Sequence, residues 1–409
     1  MKAHPPLLSI EDALTCLLNA AHPVADTEDL AVEHAVGRIL ATGIRSTIDV
    51  PPHDNSAMDG YAIRCCDLVD DGPISLHVTQ RIPAGSNGAA LDAGTAARIF
   101  TGAPIPPGCD AVVMQEDTRT EGDRVILLKP VRPGQNIRRS GEDIARGHEI
   151  LPAGKRLSPQ DLGLAASIGI DRLTVHRRLR VAVFFTGDEL VMPGRPLEPG
   201  QIYNSNRYVL RGLLEKLGCQ ITDLGIVEDT LEATRAALRL AADGHDLVLT
   251  CGGVSVGEED HVKAAVEAEG SLDAWKIAIK PGKPLAFGQI GGTPFIGLPG
   301  NPVSAYITFL MFAGPFIKRR QGLGHVLPQP LLAIADFDWP KPDKRQEYLR
   351  ARIGQTAEGQ PSATLYPQQG SGVLTSCSWA NALIKVKPGQ MIQQGDRVVC
   401  YPLAALDSD

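Results

Sequence analysis

The 409 residues carry 40 Lys+Arg against 47 Asp+Glu, a formal charge of -7, with 43% hydrophobic and 21% charged residues. This composition excludes the disordered class. It also lacks the basic excess with which a general nucleic-acid binder neutralises phosphates. A chain of this length is expected to form roughly two to four domains.

Met1–Pro6 shows neither the apolar run nor the cleavage pattern of a secretory signal. The stretch from Ala305 to Ile317 is too short to span a bilayer and reads as a buried helix. The eight cysteines are scattered without a CxxC, so neither a zinc site nor a disulfide framework is expected. Small core thiols in a reducing compartment, the cytoplasm, fit that usage.

In chain order, Ser9-Ile10-Glu11-Asp12 followed by Ala13, Leu14, Leu17 and Leu18 predicts a capped amphipathic helix. A second helix is expected over Val32–Ala41. From Thr47 to Ile150 short apolar runs (Ala97–Phe100, Ala111–Met114, Val125–Leu128) alternate with Pro- and Gly-rich turns, which predicts β structure. Leu157–Ile168 returns to a helical pattern. Helix, β region and helix suggest a β domain (47–145) inserted into a helical base (1–46 and 146–177).

Between residues 178 and 326 strands alternate with helices. The expected strands are Leu179–Phe185, Gln220–Val227, Asp246–Cys251, Leu285–Gln289 and Pro294–Gly297. The expected helices are Asn206–Leu217, Thr230–Ala242, Glu258–Ala268 and Pro302–Phe316. This rhythm predicts an α/β domain with a largely parallel sheet, which binds ligands at the carboxyl ends of its strands. Residues 327–409 hold short strands (Leu331–Phe337, Tyr348–Ile353, Ala363–Tyr366, Ala382–Val386, Arg397–Cys400) and no evident helix, as in a small β-barrel or sandwich. The fold class is therefore multidomain α/β plus β.

The candidate chemistry gathers in the α/β region. After the apolar strand at Asp246–Cys251 come Gly252, Gly253, Ser255 and Gly257, then an acidic helix start. Paired glycines let backbone N–H groups approach an anion, and a helix N-terminus adds donors; the bland reading is a plain strand-to-helix turn. No Gly-Lys-Ser/Thr follows, so this is not a P-loop. Lys276-Ile-Ala-Ile-Lys280-Pro-Gly-Lys283 sets three lysines around a Pro-Gly turn, where a solvated charge run is the usual alternative. Alternation of Trp275, Ile277 and Ile279 predicts a strand carrying Lys276 and Lys280 on one face. Gly297-Leu-Pro299-Gly-Asn301-Pro302-Val-Ser304 brings a further turn to a helix, with Asn301 as N-cap and Pro302 as first residue.

Carboxylates oppose these lysines. Asp59 and Asp143 sit in turn-like settings, and Asp188 and Glu189 follow Thr186-Gly187. Loop carboxylates are usually caps or solvated turns, but Glu189, Asp229 and Asp260 follow successive strands and so share one sheet edge. Such carboxylates tolerate a polyanionic substrate when a hard cation such as Mg²⁺ intervenes. No HxH, HExxH or GxSxG pattern is present.

Pro51–Ala62 (PPHDNSAMDGYA), Arg138–Asp143 (RRSGED), Thr186–Leu190 (TGDEL), Gly252–Glu258 (GGVSVGE), Lys280–Pro284 (KPGKP) and Gly297–Ser304 (GLPGNPVS) occur in this order. In this the chain resembles the molybdopterin molybdenumtransferase family, which includes the gephyrin E domain, over nearly its whole length. The resemblance implies insertion of molybdate into adenylylated molybdopterin with release of AMP, supported by a divalent cation. It implies a homodimer whose site lies between the α/β domain and the partner subunit's inserted β domain. Transient contact with the pterin adenylyltransferase or with molybdoenzyme chaperones follows; nucleic acid and membrane do not.

Its acidic site residues fall on Asp59, Asp143, Glu189, Asp229 and Asp260, its lysines on Lys276 and Lys280, and a threonine on Thr101. Substrate contacts are expected at Thr186, Gly252, Gly253, Ser255, Gly257, Lys283, Pro299, Asn301, Pro302 and Ser304, and the cation at Glu189, Asp229 and Asp260. Two departures stand out: Phe185 and Cys251 occupy places where the family often has Ser. Three rival readings are a pterin adenylyltransferase, which leaves Asn55–Ala62 and the C-terminal domain unexplained, a non-catalytic scaffold, and a general phosphohydrolase.

Overall fold

The computed structural model describes residues 7–68, 74–253 and 261–407. Helix α1 (Ile10–Ala20) starts where the Ser9 hydroxyl accepts the Asp12 N–H at 3.0 Å. Its buried face, Ile10, Ala13 and Leu17, packs into the core of the α/β domain with Leu179 and Leu213 rather than into the helical base. Burial of such aliphatic side chains contributes about 1.5–3 kcal/mol each, so the N-terminal helix is bound to the domain it covers.

Strand β1 (Thr27–Ala31) follows. The helix expected over Val32–Ala41 does not form: a short 3₁₀ turn covers Val32–His34, and Gly37 then takes φ +73°. Ile39 and Leu40 make bridges to Arg156 and Val175, so strand-like pairing outweighs the helical spacing.

The inserted region builds a six-stranded sheet from β2 (Gly60–Ile63), β3 (Ser75–Ile82), β4 (Thr95–Ile99), β5 (Ala111–Met114), β6 (Thr118–Glu121) and β7 (Arg124–Leu127), in the order β5-β2-β4-β3-β7-β6. Alternation along β2 sends Tyr61 and Ile63 to one apolar cluster and Ala62 to another, so both sheet faces are covered. The flanking segments pair with each other. Ile44–Arg45 pairs with Glu149–Leu151, and β1 pairs antiparallel with β8 (Arg172–His176), which follows helix α2 (Pro159–Ser167).

The α/β domain contains β9 (Arg180–Thr186), α3 (Ser205–Lys216), β10 (Gln220–Val227), α4 (Leu231–Ala242), β11 (Leu247–Cys251) and α5 (His261–Glu269). It continues with β12 (Gly270–Lys276), β13 (Ile279–Lys280), β14 (Pro284–Ile290), β15 (Thr293–Leu298), α6 (Pro302–Thr308) and α7 (Gly314–Arg320). The sheet order is β10-β9-β11-β15-β14-β12; the first four strands are parallel, β14 pairs antiparallel with β15, and β12 pairs antiparallel with β14. Between α6 and α7 one π turn spans Phe309–Ala313, all buried. Pro315 supplies no N–H for the carbonyl four residues back, which accounts for the wider turn.

The strand read through Trp275–Ile279 is broken. Leu8 pairs with Ile277, giving its N–H to the Lys276 carbonyl at 3.0 Å and taking that of Ala278 at 2.8 Å. Beyond this point β13 leaves the α/β sheet and pairs parallel with β17 (Gln346–Gln355) of the C-terminal domain. That domain also contains β16 (Leu331–Ala335), β18 (Pro361–Leu365), β19 (Ala382–Val386) and β20 (Arg397–Pro402). The order β17-β18-β16-β20-β19 closes on itself through the β17–β19 pairing, giving a five-stranded barrel. Two short helices, α8 (Leu374–Trp379) and α9 (Leu403–Asp407), interrupt what the sequence suggested was strands alone. No helix among the described residues is long and apolar enough to cross a membrane, and the eight cysteines are free thiols.

Asp246 ties the base to the α/β domain. Its carboxylate accepts a two-pronged pair from Arg177 at 2.6 and 2.8 Å and the Arg180 N–H at 2.8 Å. Burial alone would raise this carboxyl, but the Arg177 guanidinium and the Arg180 N–H hold it below its ordinary value. Replacing Asp246 by Asn should cost about 3 kcal/mol in urea denaturation at neutral pH, because a charge is left poorly paired. A depressed carboxylate stabilises the fold above its unfolded pKa of about 4, and the contribution fades as pH falls through the lower native value. The difference between the two proteins should therefore shrink on acidification below about pH 4; a constant difference would refute the ion-pair account.

Candidate active site

At the carboxyl edge of the parallel strands lies a cleft of about 980 Å³. Each strand end delivers a turn to it. After β9, Thr186 and Gly187 lead to Glu189; after β10 comes Asp229; after β11 come Gly252 and Gly253; after β15 come Pro299 and Asn301. The gathering follows from strand direction, since parallel strands place all these turns at one end.

Glycine has a specific use in two of these turns. Gly252 takes φ +102°, and a Cβ there would stand 2.6 Å from the Thr186 carbonyl oxygen. Gly187 takes φ +144°, and its missing Cβ leaves room for the Glu189 carboxylate, whose nearer oxygen lies 2.6 Å from the vacant position. Bare backbone thus faces the cleft beside an acidic group. Hydrogen bonds hold the floor: buried Cys251 donates its thiol to the Pro299 carbonyl at 3.1 Å, and burial pushes that thiol up to about 12. Asn206 of α3 donates to the Gly300 carbonyl at 2.6 Å. Buried, and with its thiol committed to the Pro299 carbonyl, Cys251 shapes the pocket.

The opposite wall comes from the β13 turn and the barrel. Lys280 and Lys283 line the cleft around Gly282, whose Cβ would meet the Thr308 hydroxyl at 2.4 Å. The Lys280 ammonium is held by Glu347 at 2.8 Å and Asp343 at 3.2 Å, and Asp343 also binds Arg345. Burial alone would lower Lys280; the carboxylates of Glu347 and Asp343 outweigh it and raise the lysine above its ordinary value. Arg345 first, and Lys280 after it, hold Asp343 well below the usual carboxylate range. Arg345 and the Gly370–Gly372 turn also line the cleft.

Of the residues singled out in the sequence, Glu189, Asp229, Lys280, Lys283, Thr186, Gly252, Gly253, Pro299, Asn301, Pro302 and Ser304 meet at this cleft. Asn301 occupies the N-cap position of α6, but its side chain makes no capping bond. Ser255, Gly257 and Asp260 lie outside the described residues. Lys276 is not on the cleft wall, because the strand break at Ile277 separates it from Lys280. Asp59, Thr101 and Asp143 belong to the inserted domain and its base and do not line the cleft of the same chain. There Asp59 accepts the Thr101 N–H and hydroxyl, both at 2.8 Å, and these bonds hold it below its ordinary value. The sequence reading missed the barrel's share: Asp343, Arg345, Glu347 and Gly370–Gly372. The charged run from Lys341 to Glu347 was the visible signal, but nothing local ties it to Lys280.

A glycine-lined cleft at the carboxyl edge of a parallel sheet, walled on one side by a β-barrel, is the setting in which α/β proteins bind phosphate-bearing or oxyanionic ligands. Three family models match in succession: MoeA N-terminal region (domain I and II) over residues 8–169, probable molybdopterin binding domain over 182–319, and MoeA C-terminal region (domain IV) over 333–403. The chain belongs to the MoeA family. It is 40% identical over 400 residues to the molybdopterin molybdenumtransferase of Haemophilus influenzae, covering 97% of this chain and 98% of that one. It is 38% identical over 360 residues to the protein of the same name from a Nostoc species, covering 85% and 83%. The crystal structure of the molybdopterin biosynthesis moeA protein from Pyrococcus horikoshii superposes with a TM-score of 0.85 at 31% identity, over 97% of this chain and all of that one.

Gly252→Ala should lower stability by about 1–3 kcal/mol, since a side chain is placed in left-handed backbone against a carbonyl. Chemical denaturation measures this directly; a neutral result would show that the turn relaxes freely.

Proposed function

We propose that this chain is a molybdopterin molybdenumtransferase that inserts molybdate into adenylylated molybdopterin, releasing AMP, in the cytoplasm. The observation that carries the reading is the convergence on one cleft of the Gly252-Gly253 turn, the Lys280–Lys283 turn and the start of α6, with Glu189 and Asp229 on the wall. The names of the Haemophilus and Nostoc relatives support it. The Gly252-Gly253 backbone and the α6 start hold the phosphates of the substrate, and Lys280 and Lys283 face molybdate.

The two carboxylates on the cleft wall, Glu189 and Asp229, are the chemistry Mg²⁺ takes. Among the described residues no group of three potential metal ligands occurs, and Mg²⁺ is commonly bound through one or two carboxylates plus substrate phosphate. Glu189 and Asp229, with Asp260, would hold it, and when bound it offsets phosphate charge. The protein's own share is positioning: fixed donors and charges stand where the adenylate is hydrolysed.

In this reading the enzyme is a homodimer, and Asp59, Thr101 and Asp143 complete the cleft of the partner subunit. That none of the three lines the cleft of its own chain supports that arrangement. Transient docking to the adenylyltransferase that supplies the pterin, or to molybdoenzyme chaperones that take the finished cofactor, belongs to the same reading.

A loading assay with purified protein, adenylylated molybdopterin, molybdate and Mg²⁺ should yield AMP and active cofactor together. AMP without metal insertion would recast the chain as a hydrolase. Glu189→Gln and Asp229→Asn should each slow loading about a hundredfold, the scale of one lost electrostatic contact, and raise the Mg²⁺ requirement. Mixing Asp59→Asn with Glu189→Gln subunits should restore activity above either variant alone. No recovery on mixing would place the whole site in one chain.

A further inference from the structure

Lys280 belongs to the cleft wall, yet two of its three N–H donors are taken by carboxylates of the C-terminal domain, Glu347 at 2.8 Å and Asp343 at 3.2 Å. Glu347 is 2% exposed, and its other oxygen accepts the Trp339 indole N–H at 3.1 Å. Asp343 is shared: one oxygen serves Lys280 and the Arg345 guanidinium, while the other accepts the Arg345 N–H at 2.9 Å and its Nε–H at 3.1 Å. Both carboxylates are therefore fixed. β13 and β17 pair Lys280 with Glu347 in register, so the backbone enforces the contact.

The wall carries three cations, Lys280, Lys283 and Arg345, against the two carboxylates Asp343 and Glu347, which leaves one net positive charge. A wall of three uncompensated cations would hold any tetrahedral dianion firmly, because Coulomb attraction does not distinguish sulfate, phosphate or molybdate. We propose that Glu347 and Asp343 are specificity-determining residues: they hold down the affinity of the cleft for free inorganic dianions, so that occupancy depends on the remainder of the substrate. The third N–H of Lys280 stays available to the oxyanion, and the clasp fixes where it points. Attraction enough to orient the anion is kept; attraction enough to trap a common one is removed.

The proposal rests on reading the cleft as an oxyanion site, and its test needs no turnover. Titration calorimetry with sodium sulfate, and separately with sodium molybdate, should show weak binding to the wild-type protein. Glu347→Gln and Asp343→Asn should each bind both anions about tenfold more tightly, the direction required when a nearby negative charge is removed. The gain should diminish at high ionic strength, and adding Lys280→Gln should cancel it. In the loading assay sulfate should inhibit these variants at lower concentration than it inhibits the wild type. Folded variants with unchanged or weaker sulfate binding would overturn the proposal, as would a gain that survives Lys280→Gln. Glu347 is buried, so if Glu347→Gln fails to fold, the more exposed Asp343→Asn decides. Tighter anion binding without any AMP release would count against the transferase reading and leave the clasp standing; the reverse result would do the opposite.

Discussion

The hydrogen bonds at Ile277 and Ala278 govern how the parts of this molecule meet. There the chain ends its run in the α/β sheet, is braced by Leu8 of the N-terminal segment, and passes to the barrel edge, where β13 pairs with β17. A continuous strand would have kept Lys280 on the α/β sheet, away from Asp343 and Glu347. Because the strand changes partners, the turn that carries Lys280 and Lys283 joins two domains, and the cleft has a second wall. The packing of α1 into the α/β core anchors the brace, since Leu8 leads directly into that helix.

Charge is distributed unevenly around this joint. The protein as a whole is acidic, at -7, yet the barrel side of the cleft gathers cations and the strand ends opposite bring Glu189 and Asp229. Neither side is left bare. Asp343 and Glu347 restrain the lysine, while Gly187 and Gly252 offer backbone close to the acidic side. This balance suits a cleft that admits a polyanion and later releases it, which a uniformly cationic pocket would resist.

Much of this was legible in the sequence, for a physical reason. Strands of a parallel sheet are buried on both faces, so β9 and β11 read as unbroken apolar runs, and the turns after them could be placed at one edge. The 3.6 spacing over Val32–Ala41 misled because Gly37 and the bridges of Ile39 and Leu40 won over local preference. Helix α8 was invisible since its six residues, Leu-Thr-Ser-Cys-Ser-Trp, include few helix formers; it is held in place by the Ser376 hydroxyl, which accepts from buried Arg350 at 3.0 Å. The contact of Glu347 with Lys280 spans 67 positions of chain, and no periodicity encodes a pairing at that range.

Closure of the C-terminal barrel bears on how the cleft can move. An open sheet yields by gradual twisting and leaves its outer strands ready to recruit a neighbour. A ring of five strands has no such outer strand, and to distort it several ladders must break together. Arg345 and the Gly370–Gly372 turn are carried on this ring, so that wall of the cleft resists piecemeal deformation and keeps its groups in fixed relation to one another. The ring is also seated on the α/β domain, since Tyr348, Cys377, Leu383, Leu403 and Leu406 share one apolar core with α1 and the helix around Phe309–Ile317, and the β13–β17 ladder ties the position of Lys280 to it.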